Sequence, residues 1–265
     1  MKVREIAELL EQQVPLYWQE SYDNAGLAVG HPESEVDMVL VALDVTEEVV
    51  EEALRVGAQM IVSHHPIIFS PLRRLADGSP QQRAILRAIE GGVALYAAHT
   101  NLDGAPEVGI SHFLASQLGL EVEGLLEPSS VEEGVGIGVV GRLSEPVAAE
   151  EFLATIGRTL GVRALRHSPV RIEKVERVAI CSGSGGSLIE RAEAAGADLY
   201  LTSDLKYHSF VDADRMILVD AGHFETEICA IDILFDILSK KISNFAVRKS
   251  QTAQNPVRYL ILDNK

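Results

Sequence analysis

The stretch Met60-Ile61-Val62-Ser63-His64-His65-Pro66 sets the reading of the whole chain. Its first three residues form an apolar run after the turn Gly57-Ala58, the pattern of a buried strand. Neighbouring side chains on a strand point to opposite faces, so His64 and His65 can share one site only where regular strand geometry stops. Pro66 supplies that stop: it has no N–H for a ladder and drives the residue before it into an extended conformation. Two imidazoles are therefore expected at the carboxyl end of a strand, the rim at which open α/β sheets hold their ligands. Adjacent histidines on an ordinary surface are the alternative, and the rest of the chain argues against it.

Outward from this stretch, strand and helix patterns alternate. A strand is expected over residues 38–44, then Thr46 as an N-cap, Glu47 and Glu48 in the first turn, and a helix to Arg55 that Gly57 stops. Upstream, Ile6, Leu9 and Leu10 mark an opening helix over 3–13 that Pro15 ends. The turn-rich segment 18–30 follows, with Asp23-Asn24-Ala25-Gly26 its most polar point, and reads as a packed cover. Downstream, a helix over 81–90 precedes a strand over 93–98, which delivers His99-Thr100-Asn101-Leu102-Asp103, and 111–118 is again helical.

Beyond a polar stretch at 127–134, residues 136–143, 148–160 and 162–165 read as strand, helix and strand. A strand at 178–181, a Gly-rich loop at 182–187, a helix at 188–195 and strands at 198–202 and 216–219 come next. A helix over 225–240 and closing strands at 245–248 and 257–262 complete the chain.

The two halves echo each other. A shift of 139 positions carries Val39 onto Val178, Glu51 onto Glu190, Ala53 onto Ala192, Gly57 onto Gly196 and Ala58 onto Ala197. It also sets Ser203-Asp204 where the first half has His64-His65. A shift of 124 then carries His99 onto His223, each at the end of an apolar strand, with an acid four residues on, Asp103 or Glu227. The expected fold is α/β, two similar lobes from an internal duplication, with a metal site between them. The lobes are expected at 1–128 and 129–265, with the segment from about 225 to 265 free to pack back on the first.

His64, His65, Asp103, His223 and Glu227 form the candidate ligand set. Three imidazoles and two carboxylates suit zinc, iron or manganese, and five side chains exceed what one catalytic ion takes from protein. Two divalent ions follow, with a carboxylate such as Glu227 bridging them. Asp204 and His208, four residues apart, are candidate proton-transfer groups or supports of the ligands. His99 reads as a buried hydrogen-bonding histidine. The Gly-rich loop before a helix offers N–H groups to an anion, with Arg73, Arg74 and Lys206 as counter-charges; a tight connection is the plainer reading.

Composition limits the partners. A net charge of −16 repels nucleic acid and anionic membrane surfaces. With 47% hydrophobic and 23% charged residues the chain is globular, and with 7 Phe, 6 Tyr and 1 Trp its core must be aliphatic. Cys181 and Cys229 alone make no disulfide framework, the start carries no signal-peptide core, and no apolar run reaches membrane-spanning length; a cytoplasmic protein is expected.

SHHP at 63–66, HTNLD at 99–103, CSGSGG at 181–186, TSDLKYH at 202–208 and GHFETE at 222–227 occur in an order that resembles the NIF3-like, or GTP cyclohydrolase I type 2, family across nearly the whole chain. The resemblance implies a di-metal site on the same five residues and a ring-shaped homohexamer with its metal sites facing an internal cavity. It also implies the short form, without the long domain that some members insert between the halves. The implied activity is that of a metal-dependent hydrolase acting on a nucleotide or related small heterocycle. A metal-handling or interaction protein without turnover is the alternative.

Overall fold

The computed structural model describes residues 1–241 and 246–260. In chain order the elements are α1 (Val3–Glu11), β1 (Gly26–Val29), β2 (Met38–Ala42), α2 (Glu47–Val56), β3 (Met60–Ser63), α3 (Pro80–Glu90), β4 (Ala94–Ala97), α4 (Thr100–Asp103), α5 (Ile110–Gln117), β5 (Glu121–Pro128), β6 (Gly136–Ala148), α6 (Ala149–Thr159), β7 (Arg166–His167), β8 (Lys174–Ser184), α7 (Ile189–Ala194), β9 (Leu199–Ser203), α8 (Tyr207–Asp212), β10 (Ile217–Asp220), α9 (His223–Glu227), α10 (Ala230–Lys241) and β11 (Ala246–Lys249). One sheet runs β1-β4-β3-β2-β11 and the other β5-β6-β8-β9-β10-β7.

Strand alternation builds the layers. In the first sheet Val39, Val41, Met60 and Val62 face Val3, Ile6 and Leu10 of α1 and Leu234 and Leu238 of α10. Leu40, Ala42 and Ile61 turn to the other face, against Val49, Val50 and Ala53 of α2. Both faces of these parallel strands are buried, so they read as unbroken apolar runs. In the second sheet Val178, Ile180, Leu199 and Leu201 pack on Phe152 and Ile156 of α6, while Ala179 and Tyr200 face Ala192 of α7. Helix α5 joins the two bodies, with Ile110 in the first core and Leu114 in the second.

The duplication is visible in the register. β2 and β3 pair as Val39↔Met60, Leu40↔Ile61 and Val41↔Val62, and β8 and β9 as Val178↔Leu199, Ala179↔Tyr200 and Ile180↔Leu201. The 139-residue shift carries one set onto the other. The third strand slips by one residue: Ser63 pairs with Ala97, two before His99, and Thr202 with Asp220, three before His223. Gly222, at φ 92°, takes up the extra residue in a conformation open to glycine.

Several expected elements are displaced. The strand expected at 162–165 is irregular, with Val162 and Leu165 lying against Gly157 of α6; the strand is β7, paired with β10. The helix expected over 225–240 begins earlier and divides into α9 and α10 around Ile228 and Cys229. Residues 257–260 are not in a strand; Phe245, Ile261 and Leu262 lie outside the described residues. Strand β5, expected in the first lobe and not read as a strand, pairs antiparallel with β6 at the edge of the second sheet. Its largely exposed, charge-bearing sequence gives no apolar run. Strand β11 returns to the first sheet alongside β2. No described helix is long and apolar enough to cross a membrane.

The return of the chain is tied down by buried Glu52 of α2. Its carboxylate accepts from Ser250 Oγ (2.6 Å), Thr252 Oγ1 (2.7 Å) and the N–H groups of Gln251 (3.0 Å) and Thr252 (3.1 Å). Burial acts to raise the Glu52 pKa, and these donors outweigh it and lower it. Its stabilisation is thus full above the ordinary glutamate range and fades as pH falls through the lowered value. Glu52→Ala strands these donors and is expected to cost about 2–3 kcal/mol in a urea melt, a loss that shrinks in acid.

Candidate metal centre

Four strand ends converge on one point. β3 hands over to His64 and His65, β4 to His99 and then α4 with Asp103, β9 to Asp204, and β10 to α9 with His223 and Glu227. The ladder continues just past β3, since the His64 and His65 amides donate to Ala42 O (3.3 Å) and Leu43 O (3.0 Å). The five residues of the candidate ligand set meet here. His64 Nε2 stands 3.8 Å from both Asp103 Oδ1 and Glu227 Oε1. His65 Nε2 and His223 Nε2 each lie 2.8 Å from Glu227 Oε2 and 3.4 Å from one another.

A single rule orients the rings: Nδ1 is held from behind and Nε2 is left for the centre. Nδ1 of His64 donates to Ala98 O (2.9 Å), that of His65 to Asp44 Oδ1 (2.8 Å), and that of His223 to Asp204 Oδ2 (2.7 Å). Metal-bound histidines are fixed in this way, and the backing acceptor raises their basicity. Asp204 sits at φ 56°, a left-handed conformation that aspartate tolerates better than most residues.

The electrostatics are those of a site built for cations. Burial acts to raise Glu227, yet hydrogen bonds from His223 and His65 and the nearby His64 ring hold it well below the usual carboxylate range. Burial acts to lower His65, and Asp44 and Glu227 outweigh it, pushing it to about 10. The Glu227 hydrogen bond, opposed by burial, lifts His223 to about 9. Burial raises Asp103. Two further atoms test the fit to a metal: His64 Nε2 and Asp103 Oδ1 are buried, face each other and have no hydrogen-bond partner among the described residues. Such orphans are costly unless an ion or water engages both. The residues fit a divalent metal, and ring nitrogens of His65 and His223 with a Glu227 oxygen lie mutually within 4.8 Å.

The Gly-rich loop is a seat for Glu227. Gly183 has φ +61°, and a Cβ there would overlap Glu227 Oε1. Its N–H donates to Thr226 Oγ1 (3.0 Å), and Gly185 N–H donates to Thr202 Oγ1 (2.9 Å). These donors are engaged within the protein. The pattern Gly-x-Gly at a strand end was the available signal, and its steric meaning needed the fold.

The structure does not bring His208 to the cluster. It is exposed on α8, its ring edge-on to Tyr207 at 5.4 Å, with no hydrogen bond to the histidines or carboxylates. Asp44 and Asp23 are the acidic partners that sequence reasoning passed over; each is far along the chain from the histidine it holds. Beside the centre, a cavity of 880 Å³ includes Asp44, His65, Pro66, Phe224 and Arg258 in its walls, large enough for a small organic substrate.

Comparison with known proteins finds the Duf34/NIF3 (NGG1p interacting factor 3) family matching residues 1–256. A protein of Clostridium perfringens named GTP cyclohydrolase 1 type 2 homolog is 35% identical over 86% of this chain and 87% of its own. A Streptococcus pneumoniae protein of the same name is 30% identical over 98% and 100%. Among solved structures, a Bacillus cereus protein related to NIF3 superposes with a TM-score of 0.90 at 25% identity, covering 98% of this chain and 99% of that one. Reduced HcgD of Methanocaldococcus jannaschii gives 0.79 at 28% identity, covering 94% and 97%.

Proposed function

This chain belongs to the Duf34/NIF3 family, and from that premise we propose that it is a dinuclear metal-dependent hydrolase acting on a nucleotide or related small heterocycle. The observation that carries the proposal is the division of one carboxylate. Glu227 Oε1 faces His64, which also faces Asp103, and Oε2 faces His65 and His223. In this reading His64, Asp103 and Glu227 would hold one ion, and His65, His223 and Glu227 the other. Mixed imidazole and carboxylate donors suit zinc, iron or manganese. When bound, such ions supply Lewis acidity and lower the pKa of coordinated water to about 7.

The chain's own residues do the rest. Ala98, Asp44 and Asp204 fix ring orientation by accepting hydrogen bonds from the Nδ1–H groups of His64, His65 and His223. Asp204 is a positioning residue here, and His208 has no part. The walls of the adjacent cavity admit the substrate beside His65. The relatives' name supports a purine nucleotide among the candidates, since opening a guanine imidazole ring needs attack by water.

The test is a metal-reconstituted screen over nucleotides, phosphoesters and amides, comparing wild type with His65→Ala and Asp103→Ala. Turnover lost in both variants is expected. Turnover surviving both changes contradicts the site; metal that exchanges reversibly without turnover of anything favours a metal-handling protein.

The assembly proposed is a homohexamer in a reducing, cytoplasmic setting, in keeping with the family and with the two free cysteines, Cys181 and Cys229. Light scattering at micromolar concentration is expected to give six times the chain mass of 28.8 kDa; a monomer mass contradicts it.

A further inference from the structure

His99 obeys the same rule as the other three histidines. Its Nδ1 donates to Asp23 Oδ1 at 2.7 Å, which leaves Nε2 free. Asp23 is itself locked: Oδ2 accepts from Thr100 N–H (3.0 Å) and Thr100 Oγ1 (2.5 Å), and its side chain has no exposure to solvent. Burial acts against its charge, and the His99 and Thr100 hydrogen bonds overcome it, holding the carboxyl at about 2. An aspartate whose side chain is buried thus reaches from a distant loop to aim the imidazole while it also holds Thr100 and Asn24.

The aim is toward the centre. Ring nitrogens of His64, His65 and His99 lie within 4.8 Å of one another, with ring centroids 5.2 Å apart for His64 and His99 and 5.6 Å for His65 and His99. The duplication says the same, since His99 and Asp103 repeat the His-x-x-x-acid of His223 and Glu227 at a helix start after a strand.

One difference separates His99 from the ligand set. His64, His65 and His223 each come within 4.0 Å of Glu227, and His99 pairs with neither Glu227 nor Asp103. It stands one step back from the shared carboxylates. Of its side chain 17% is exposed, where His64 is wholly buried.

We propose that His99, positioned by Asp23, binds the oxygen of the non-protein ligand at the metal centre, a water or an oxyanion of the substrate. With Nδ1–H given to Asp23, Nε2 is an acceptor for the O–H of a water or of a protonated oxyanion such as hydrogen phosphate. The assignment rests on the metal-centre reading above.

The test uses cobalt-loaded protein with inorganic phosphate as the probe, followed by calorimetry and by cobalt content. His99→Ala is expected to keep the wild-type cobalt content and to bind phosphate about tenfold more weakly or worse, the scale of one charge-assisted hydrogen bond. His99→Gln, which restores a polar group, is expected to recover part of the loss, and Asp23→Asn to weaken phosphate less than His99→Ala does. Phosphate affinity unchanged in His99→Ala, cobalt lost from it, or no phosphate binding by cobalt-loaded wild type each overturns the assignment alone. Wild type that takes up no cobalt overturns the metal-centre reading and this assignment with it.

Discussion

Glu227→Ala is expected to yield a folded protein that has lost both ions, whereas His223→Ala or His64→Ala loses only one. The reason lies in the two oxygens: Oε1 is 3.8 Å from His64 Nε2, and Oε2 is 2.8 Å from both His65 and His223. Removing a terminal donor weakens one ion, and removing the shared donor weakens both. Deleting the partner of buried charges costs about 3–5 kcal/mol, or roughly 100-fold to several thousand-fold in affinity. Metal content after dialysis, read by elemental analysis, checks the contrast. Equal losses in all three variants contradict a shared carboxylate.

Gly183→Ala is expected to reach the same end without touching a donor atom. The added Cβ overlaps Glu227 Oε1, and the backbone at φ +61° is one that an L side chain adopts at a cost of about 1–2 kcal/mol. Gly57→Ala is the control, because Gly57 has φ +76° with nothing near the place of a Cβ. Both variants share the backbone cost. Only Gly183→Ala is expected to shed metal, by displacing Glu227. If both variants keep metal equally, the loop is a simple connection and its glycine is needed only for the turn.

What could be read from the sequence is what is encoded locally. Thr46 accepts from Val49 N–H at the start of α2, and Gly57 ends that helix in the left-handed conformation; both follow from neighbours in the chain. The apolar runs of β2, β3, β9 and β10 needed only burial on two faces to declare themselves. His64, His65, Asp103, His223 and Glu227 stood out because they follow such runs, and the structure gathers them. The repeat helped, since its 139-residue shift is also the register shift between the two sheets.

What could not be read depends on contacts between distant segments. Asp44 meets His65, and Asp23 meets His99 from a loop that has the composition of a cover. Neither pairing leaves a pattern in either segment. Gly183 is explained only by the carboxylate that occupies its missing Cβ. His208 is placed by the opposite circumstance: it lies four residues beyond Asp204, but α8 starts after Asp204 and carries His208 to solvent. Strand β5, with its outer charges and a bulge between Val122 and Gly124, has no periodicity to detect.

The central claim is two ions sharing Glu227, and anomalous diffraction from crystals of the metal-reconstituted protein tests it most directly. Two peaks are expected per chain, about 3.5–4 Å apart, as in two-metal hydrolytic sites, one beside His64 and Asp103, one beside His65 and His223, with the Glu227 carboxylate between them. A single peak, or peaks away from Glu227, contradicts the account.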